Sequence, residues 1–110
     1  MIDDDEAPAE NIPGSHVPAG AVSKELLIIN KRGLHARASA KFVQTVERFN
    51  AEVWVTRGSE TVGGTSIMGL MMRSAAPGTT IKVSATGAEA EAALAAITQL
   101  VEDRFHEETM

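Results

Sequence analysis

Between Lys24 and Arg104 the apolar residues switch repeatedly between the two-residue period of a strand and the longer period of a helix, in runs too short to bury both faces. ELLIIN, after Lys24, predicts a short buried strand, and Lys31-Arg32-Gly33 a turn. Over residues 36–49, Ala36, Ala40, Val43, Val46 and Phe49 recur at helical spacing, with Phe42 widening the stripe. AEVWVTR alternates as a strand, RGSE is a turn and ETVG a second strand, so residues 52–63 predict a hairpin. SIMGLMMR, from Ser66, predicts a helix of about two turns. Pro77-Gly78 breaks it, and TTIKVSAT is a β-branched strand. Thr86 and Glu89 have capping-box spacing, and Ala90, Ala93, Leu94, Ile97, Val101 and Arg104 line one face of a last helix.

The resulting order is βαββαβα. Each helix carries one apolar stripe, so the economical arrangement is one antiparallel sheet with all helices on one face, an α+β two-layer sandwich. A chain of 110 residues holds about one such domain. Residues 1–22 stand apart: they hold Asp3, Asp4, Asp5, Glu6 and Glu10, no Lys or Arg, three prolines and little to bury. That is the composition of a disordered extension, with residues 23–110 as the folded domain.

Charge is distributed unevenly. The chain carries 15 acids and 10 bases, and five of the acids lie in the extension, so the rest is neutral. Within that neutral part, residues 26–46 contain no acid and four bases, Lys31, Arg32, Arg37 and Lys41. The net charge of −5, one Trp and no Tyr argue against a nucleic-acid partner. Without cysteine there are no disulfides and no thiolate ligands. No apolar run approaches the roughly 18 residues of a membrane span, and the N-terminus lacks a signal-peptide pattern, which predicts a cytoplasmic protein without membrane insertion.

His35 sits inside the basic island, in GLHARAS. If the helix begins at Ala36, His35 lies at its N-cap, and the backbone amides of Ala36, Arg37 and Ala38 face an anion there. A neutral imidazole has a lone pair and is a nucleophile. Were it to attack a phosphoryl group, the product's negative charges would meet those amides and the Arg37 guanidinium, whose fork suits phosphate. Neutralising a phosphoryl group in flight is most of what a protein supplies to its transfer. The plainer alternative is a histidine that only caps the helix. A metal centre would need converging ligands, and the other histidines, His16 and His106, lie in the extension and at the C-terminus, so no metal and no cofactor are expected. Hydrolase chemistry would need an oriented base, which the motif lacks.

A second stretch, SIMGLMM, places Ile67, Met68, Leu70, Met71 and Met72 around nearly the whole circumference of a short helix. A helix on a sheet hides only part of its face, so core packing accounts for Ile67, Leu70 and Met71, and the remainder forms an exposed, adaptable contact patch. Ser66 is placed to cap this helix. A phosphate on Ser66 would be stabilised by the helix dipole and would put charge beside the patch, a switch on binding. Trp54, out of phase with Val53 and Val55, faces the open side of the sheet.

GLHARAS, then SIMG beginning 31 residues after His35, then a Pro-Gly turn and a β-branched strand, resemble the histidine-containing phosphocarrier (HPr) family of the phosphoenolpyruvate-dependent phosphotransferase system. The resemblance spans residues 24 to 105 and omits the acidic extension. It implies an open-faced β-sandwich, a four-stranded antiparallel sheet with three helices on one face. It implies a carrier without turnover of its own, in which His35 accepts a phosphoryl group on Nδ1 from phosphorylated enzyme I and passes it to a IIA protein or domain. Sugar transport and regulatory, nitrogen-type signalling are both open. Arg37 matches the arginine that supports the phosphate, Ser66 the serine modified by HPr kinase/phosphorylase, and Ile67, Met68, Leu70 and Met71 the partner-binding helix of a monomeric protein. Two positions depart from the usual pattern: Ala38 stands where many members have proline, and Thr65 where many have lysine.

Two other classes compete with the carrier. One is a small-ligand regulatory module, since sheets of this order also bind metabolites at strand ends. The other is an interaction protein acting through SIMGLMM without transfer chemistry.

Overall fold

The computed structural model describes residues 17–73 and 76–106, Arg73 for its backbone alone. Strands β1 (Val22–Leu27), β2 (Glu52–Arg57), β3 (Glu60–Gly63) and β4 (Thr80–Thr86) form one antiparallel sheet in the order β1-β4-β2-β3. Helices α1 (Ala36–Glu47), α2 (Ile67–Arg73) and α3 (Ala90–Glu102) pack on one face of it, and a 3-10 turn, Arg104–His106, follows. This is the two-layer α+β sandwich in the predicted order. The expected extension lies, for residues 1–16 and hence for His16 and the five acids, outside the described residues.

The core is what the two periodicities bring together. Leu26, Val53, Val55, Ile81, Val83 and Ala85 point from the sheet toward Phe42 and Val46 of α1, Leu70 of α2, and Ala93 and Ile97 of α3. Trp54 lies out of phase with them, in register with Ser84 and Gly63, and is nonetheless buried. The hairpin closes through Gly58, whose φ of +61 glycine adopts at no steric cost.

Three boundaries differ from the sequence reading, each for a local reason. β1 begins at Val22 rather than at the apolar run, because Val22 and Ser23 pair with Ala85 and Ser84, and the two serine hydroxyls lie 2.9 Å apart. The expected capping box at Thr86 does not form. Gly87 takes φ +111, α3 starts at Ala90, and the Glu89 carboxylate accepts the Asn50 N–H at 2.6 Å, while the Glu89 N–H donates to the Asn50 carbonyl at 3.0 Å. Glu89 thus clasps the α1–β2 loop instead of a cap. At the other end, α3 stops at Glu102, Arg104 is exposed, and Phe105, with φ +56, swings into the core.

Candidate functional site

The end of β1 delivers the chain to α1 through a short, tightly held loop. Asn30, fully buried, accepts the Gly33 N–H on its backbone carbonyl at 3.3 Å and donates its side-chain Nδ2 to the Gly33 carbonyl at 2.7 Å. Gly33 has φ +63 and is buried, a position that disfavours any side chain. One turn into α1, the buried hydroxyl of Ser39 donates to the Leu34 carbonyl at 3.0 Å. Leu34 itself is packed in the core. These bonds leave His35 little freedom in its backbone.

His35 is the N-cap of α1, with an extended backbone at φ −73 and ψ −177. Its Nδ1 accepts the Arg37 N–H at 3.2 Å, and its carbonyl accepts the Ser39 N–H at 2.8 Å, the first bond of the helix. The amides of Ala36, Arg37 and Ala38 therefore precede the helical ladder, and that of Arg37 meets the ring. Because Nδ1 accepts a hydrogen bond, the proton of the neutral ring resides on Nε2 and the Nδ1 lone pair is the available one. The first turn holds no acid, and the guanidinium of Arg37 is exposed beside it.

Lys31 and Arg32 are exposed on the same loop, but Lys41 is not available to the site. Its ammonium donates to the Phe105 carbonyl at 2.7 Å and ties α1 to the C-terminal turn. Of the four bases of the island in sequence, Lys41 is thus committed to the C-terminal turn. The sequence pattern alone does not mark Asn30 and Ser39 as parts of the site. The only signal for them is position, Asn30 at the end of a strand run and Ser39 a polar residue on the apolar side of α1. Among the described residues no three His, Asp or Glu side chains gather as metal ligands would.

Ser66 is exposed and caps α2: its hydroxyl accepts the Gly69 N–H at 3.0 Å. On α2 the expected contact positions divide. Met68 and Met72 are 66% and 69% exposed, Ile67 is 40% exposed although core packing could have claimed it, and Met71 is half-buried. Leu70, expected among the partner contacts, is fully buried in the core and presents no surface, because the face of α2 that meets β3 and α1 needs one large apolar residue at its centre.

Residues 22–103 match the family model described as "PTS HPr component phosphorylation site". The chain belongs to the HPr family. It is 50% identical over 86 residues to the phosphocarrier protein HPr of Neisseria meningitidis, covering 78% of this chain and 97% of that one. It is 37% identical to the phosphocarrier protein NPr of Shewanella violacea over 86 residues, 78% of this chain and 94% of that one. Among solved structures it resembles HPr-C-His from Thermoanaerobacter tengcongensis, with a TM-score of 0.75, 40% identity and coverage of 79% and 98%. The architecture is accordingly the open-faced β-sandwich of HPr, and the protein is a phosphocarrier of the phosphotransferase system, not an independent catalyst. Its place in that relay implies enzyme I and IIA partners. No helix among the described residues is long and apolar enough to cross a membrane.

Proposed function

We propose that His35 is the phosphoryl acceptor, that it is loaded on Nδ1 by phosphorylated enzyme I, and that it unloads to a IIA protein or domain. The observation that supports this most directly is the Arg37 N–H donating to His35 Nδ1 at the mouth of α1. In the attack, the Nδ1 lone pair forms the new P–N bond while the donor's bond to phosphorus breaks and the donor keeps that electron pair. The Arg37 N–H then loses its ring acceptor and is already placed to donate to a phosphoryl oxygen. The exchange replaces one neutral hydrogen bond, worth about 0.5–1.5 kcal/mol, by a charge-assisted one worth about 1.5–3 kcal/mol. The amides of Ala36 and Ala38 and the Arg37 guanidinium complete the cradle. Such a carrier must hold phosphate loosely enough to give it up, and an exposed, half-open cap does that.

The domain that carries this site begins with β1 at Val22, one residue before the boundary expected from the sequence, acts as a monomer, and follows the N-terminal extension. Ser66 is the candidate regulatory phosphorylation site. Its hydroxyl already lies at the first turn of α2, where a phosphate is electrostatically favoured, and an HPr kinase/phosphorylase is the enzyme that would place it there. Relatives named HPr and NPr both match, so the IIA partner, sugar-linked or nitrogen-type, distinguishes the two branches.

The test is labelling of the purified protein by enzyme I and phosphoenolpyruvate. One acid-labile phosphoryl group is expected on the wild type and none on His35→Ala. Equal labelling of the two proteins would remove His35 from the role.

A further inference from the structure

The chain has no cysteine, so its only sulfur atoms are the thioethers of five methionines. Three of them, Met68, Met71 and Met72, fall within the seven residues of α2. Met68 and Met72 are the most exposed of the large apolar side chains among the described residues, and their i, i+4 spacing stacks them on one face of the helix. Met71, next to Met72 in the chain, is half-buried. Leu70 supplies the core contact of α2, and neither exposed methionine belongs to the core. Met72 also borders a shallow hollow with Arg57, Ser59 and Glu60 at the tip of the β2–β3 hairpin, so a polar atom added to it meets polar neighbours.

We infer that Met68 and Met72 are a reversible oxidation site for hydrogen peroxide, and that their conversion to sulfoxides releases protein partners from α2. This rests on α2 as a surface on which enzyme I docks. The site takes its selectivity from access: a thioether reacts as fast as the oxidant reaches its sulfur, and these two stand in solvent while Met71 is screened. In the reaction a sulfur lone pair attacks one peroxide oxygen, the S–O bond forms and the O–O bond breaks. The departing hydroxide takes up a proton and leaves as water, so sulfur is oxidised and peroxide reduced by the same electron pair. A methionine sulfoxide reductase reverses the change: a dithiol is oxidised to a disulfide, and the oxygen leaves as water.

The consequence follows from what a methionine surface offers. A thioether is apolar, polarizable and adaptable, and suits contact with more than one partner. A sulfoxide carries a strong hydrogen-bond acceptor on a pyramidal sulfur. Buried beneath a partner shaped for the thioether, it loses its water and meets no matched donor. Two such groups on adjacent turns of one face act on the same contact. Because both side chains lie outside the core, the cost falls on the complex and not on the folded carrier. His35 Nδ1, at the mouth of α1, is unchanged by the reaction. The outcome is a carrier that stays folded and stops exchanging phosphoryl groups when peroxide accumulates.

In the experiment the full-length protein is treated with hydrogen peroxide, the peroxide is removed with catalase before any partner is added, and peptide mass spectrometry follows each methionine. Met68 and Met72 are expected to gain one oxygen each at least about tenfold faster than Met71. The treated protein is expected to keep its urea midpoint, to bind enzyme I at least about tenfold more weakly by calorimetry, and to recover after treatment with reductases for both sulfoxide epimers. Met68→Leu with Met72→Leu has no thioether at either position, and whatever its starting affinity, peroxide is expected to change it less than about twofold. Oxidation of Met71 as fast as of Met68 and Met72 overturns the exposed pair as a distinct site. Oxidation without loss of affinity overturns the switch, as does a loss that the leucine pair shares. A fall in the urea midpoint overturns it too, because lost structure then accounts for lost binding. If Met68→Ser with Met72→Ser binds enzyme I as tightly as the wild type, α2 is not the docking surface and the inference falls with it. If the serine pair weakens binding and oxidation does not, the switch alone is overturned. None of these measurements uses phosphoryl transfer, so they stand apart from the assignment of His35.

Discussion

At the scale of single residues, the site is governed by groups that never touch a substrate. Ser39 reaches back to the Leu34 carbonyl from within the helix, and Asn30 holds both backbone groups of Gly33. Removing the Ser39 hydroxyl leaves a buried carbonyl without its partner, so Ser39→Ala is expected to lower stability by about 1–2 kcal/mol, read as a shift in the urea midpoint at unchanged slope. Ala38 carries a different consequence. Its side chain is buried, but its amide precedes the helical ladder, and proline at this position, as in many members of the family, has no N–H to give. Ala38→Pro is therefore expected to fold, since the first turn tolerates proline, and to bind the transferred phosphoryl group less tightly. The loss of one donor at an exposed site corresponds to about 1 kcal/mol, a roughly fivefold shift of the phosphoryl equilibrium toward enzyme I. An equilibrium that stays put would mean that the Ala38 amide does not touch the phosphate.

At the scale of elements, α2 shows how closely a short helix can be seated. A methyl group on Gly69 would stand 2.9 Å from the Ser66 hydroxyl and 3.1 Å from Val62 of β3. In an ordinary exposed helix, alanine in place of glycine adds about 1 kcal/mol of stability. Here the contact reverses the sign: Gly69→Ala is expected to destabilise by about 1–3 kcal/mol, measured by thermal or chemical denaturation. Elements of this kind were legible in the sequence wherever periodicity and punctuation agreed, as in α1, the Gly58-Ser59 hairpin and β4. The start of α3 was not. Thr86 and Glu89 have the spacing of a capping box, but a carboxylate can satisfy whichever amide comes near, and the tertiary fold brings Asn50 to Glu89. Likewise the place of His35 at a helix mouth follows from the local pattern, whereas the diversion of Lys41 to the Phe105 carbonyl depends on a turn 64 residues away.

At the scale of the whole molecule, one short helix has to serve both the core and the surface. Sequence shows five large apolar residues in α2 and cannot tell which of them face outward, because the stripe covers almost the full turn and only packing against β3 and α1 decides. That packing sets Leu70 apart from Met68 and Met72, and the separation predicts opposite behaviour for chemically similar changes. Leu70→Ala empties a fully buried site and is expected to cost about 2–5 kcal/mol, with affinity for enzyme I intact in the fraction that stays folded. Met68→Ser with Met72→Ser removes only exposed surface, so stability should hold within about 0.5 kcal/mol. If the exposed methionines are the surface on which partners dock, the same pair of changes should weaken binding of enzyme I by at least about tenfold, measured by calorimetry with His35 untouched. Unaltered binding would move the docking surface off α2 and onto the exposed loop residues Lys31 and Arg32, whose contribution a salt titration would then report, since exposed charges are screened within about 10 Å at 0.1 M salt while methionine contacts are not.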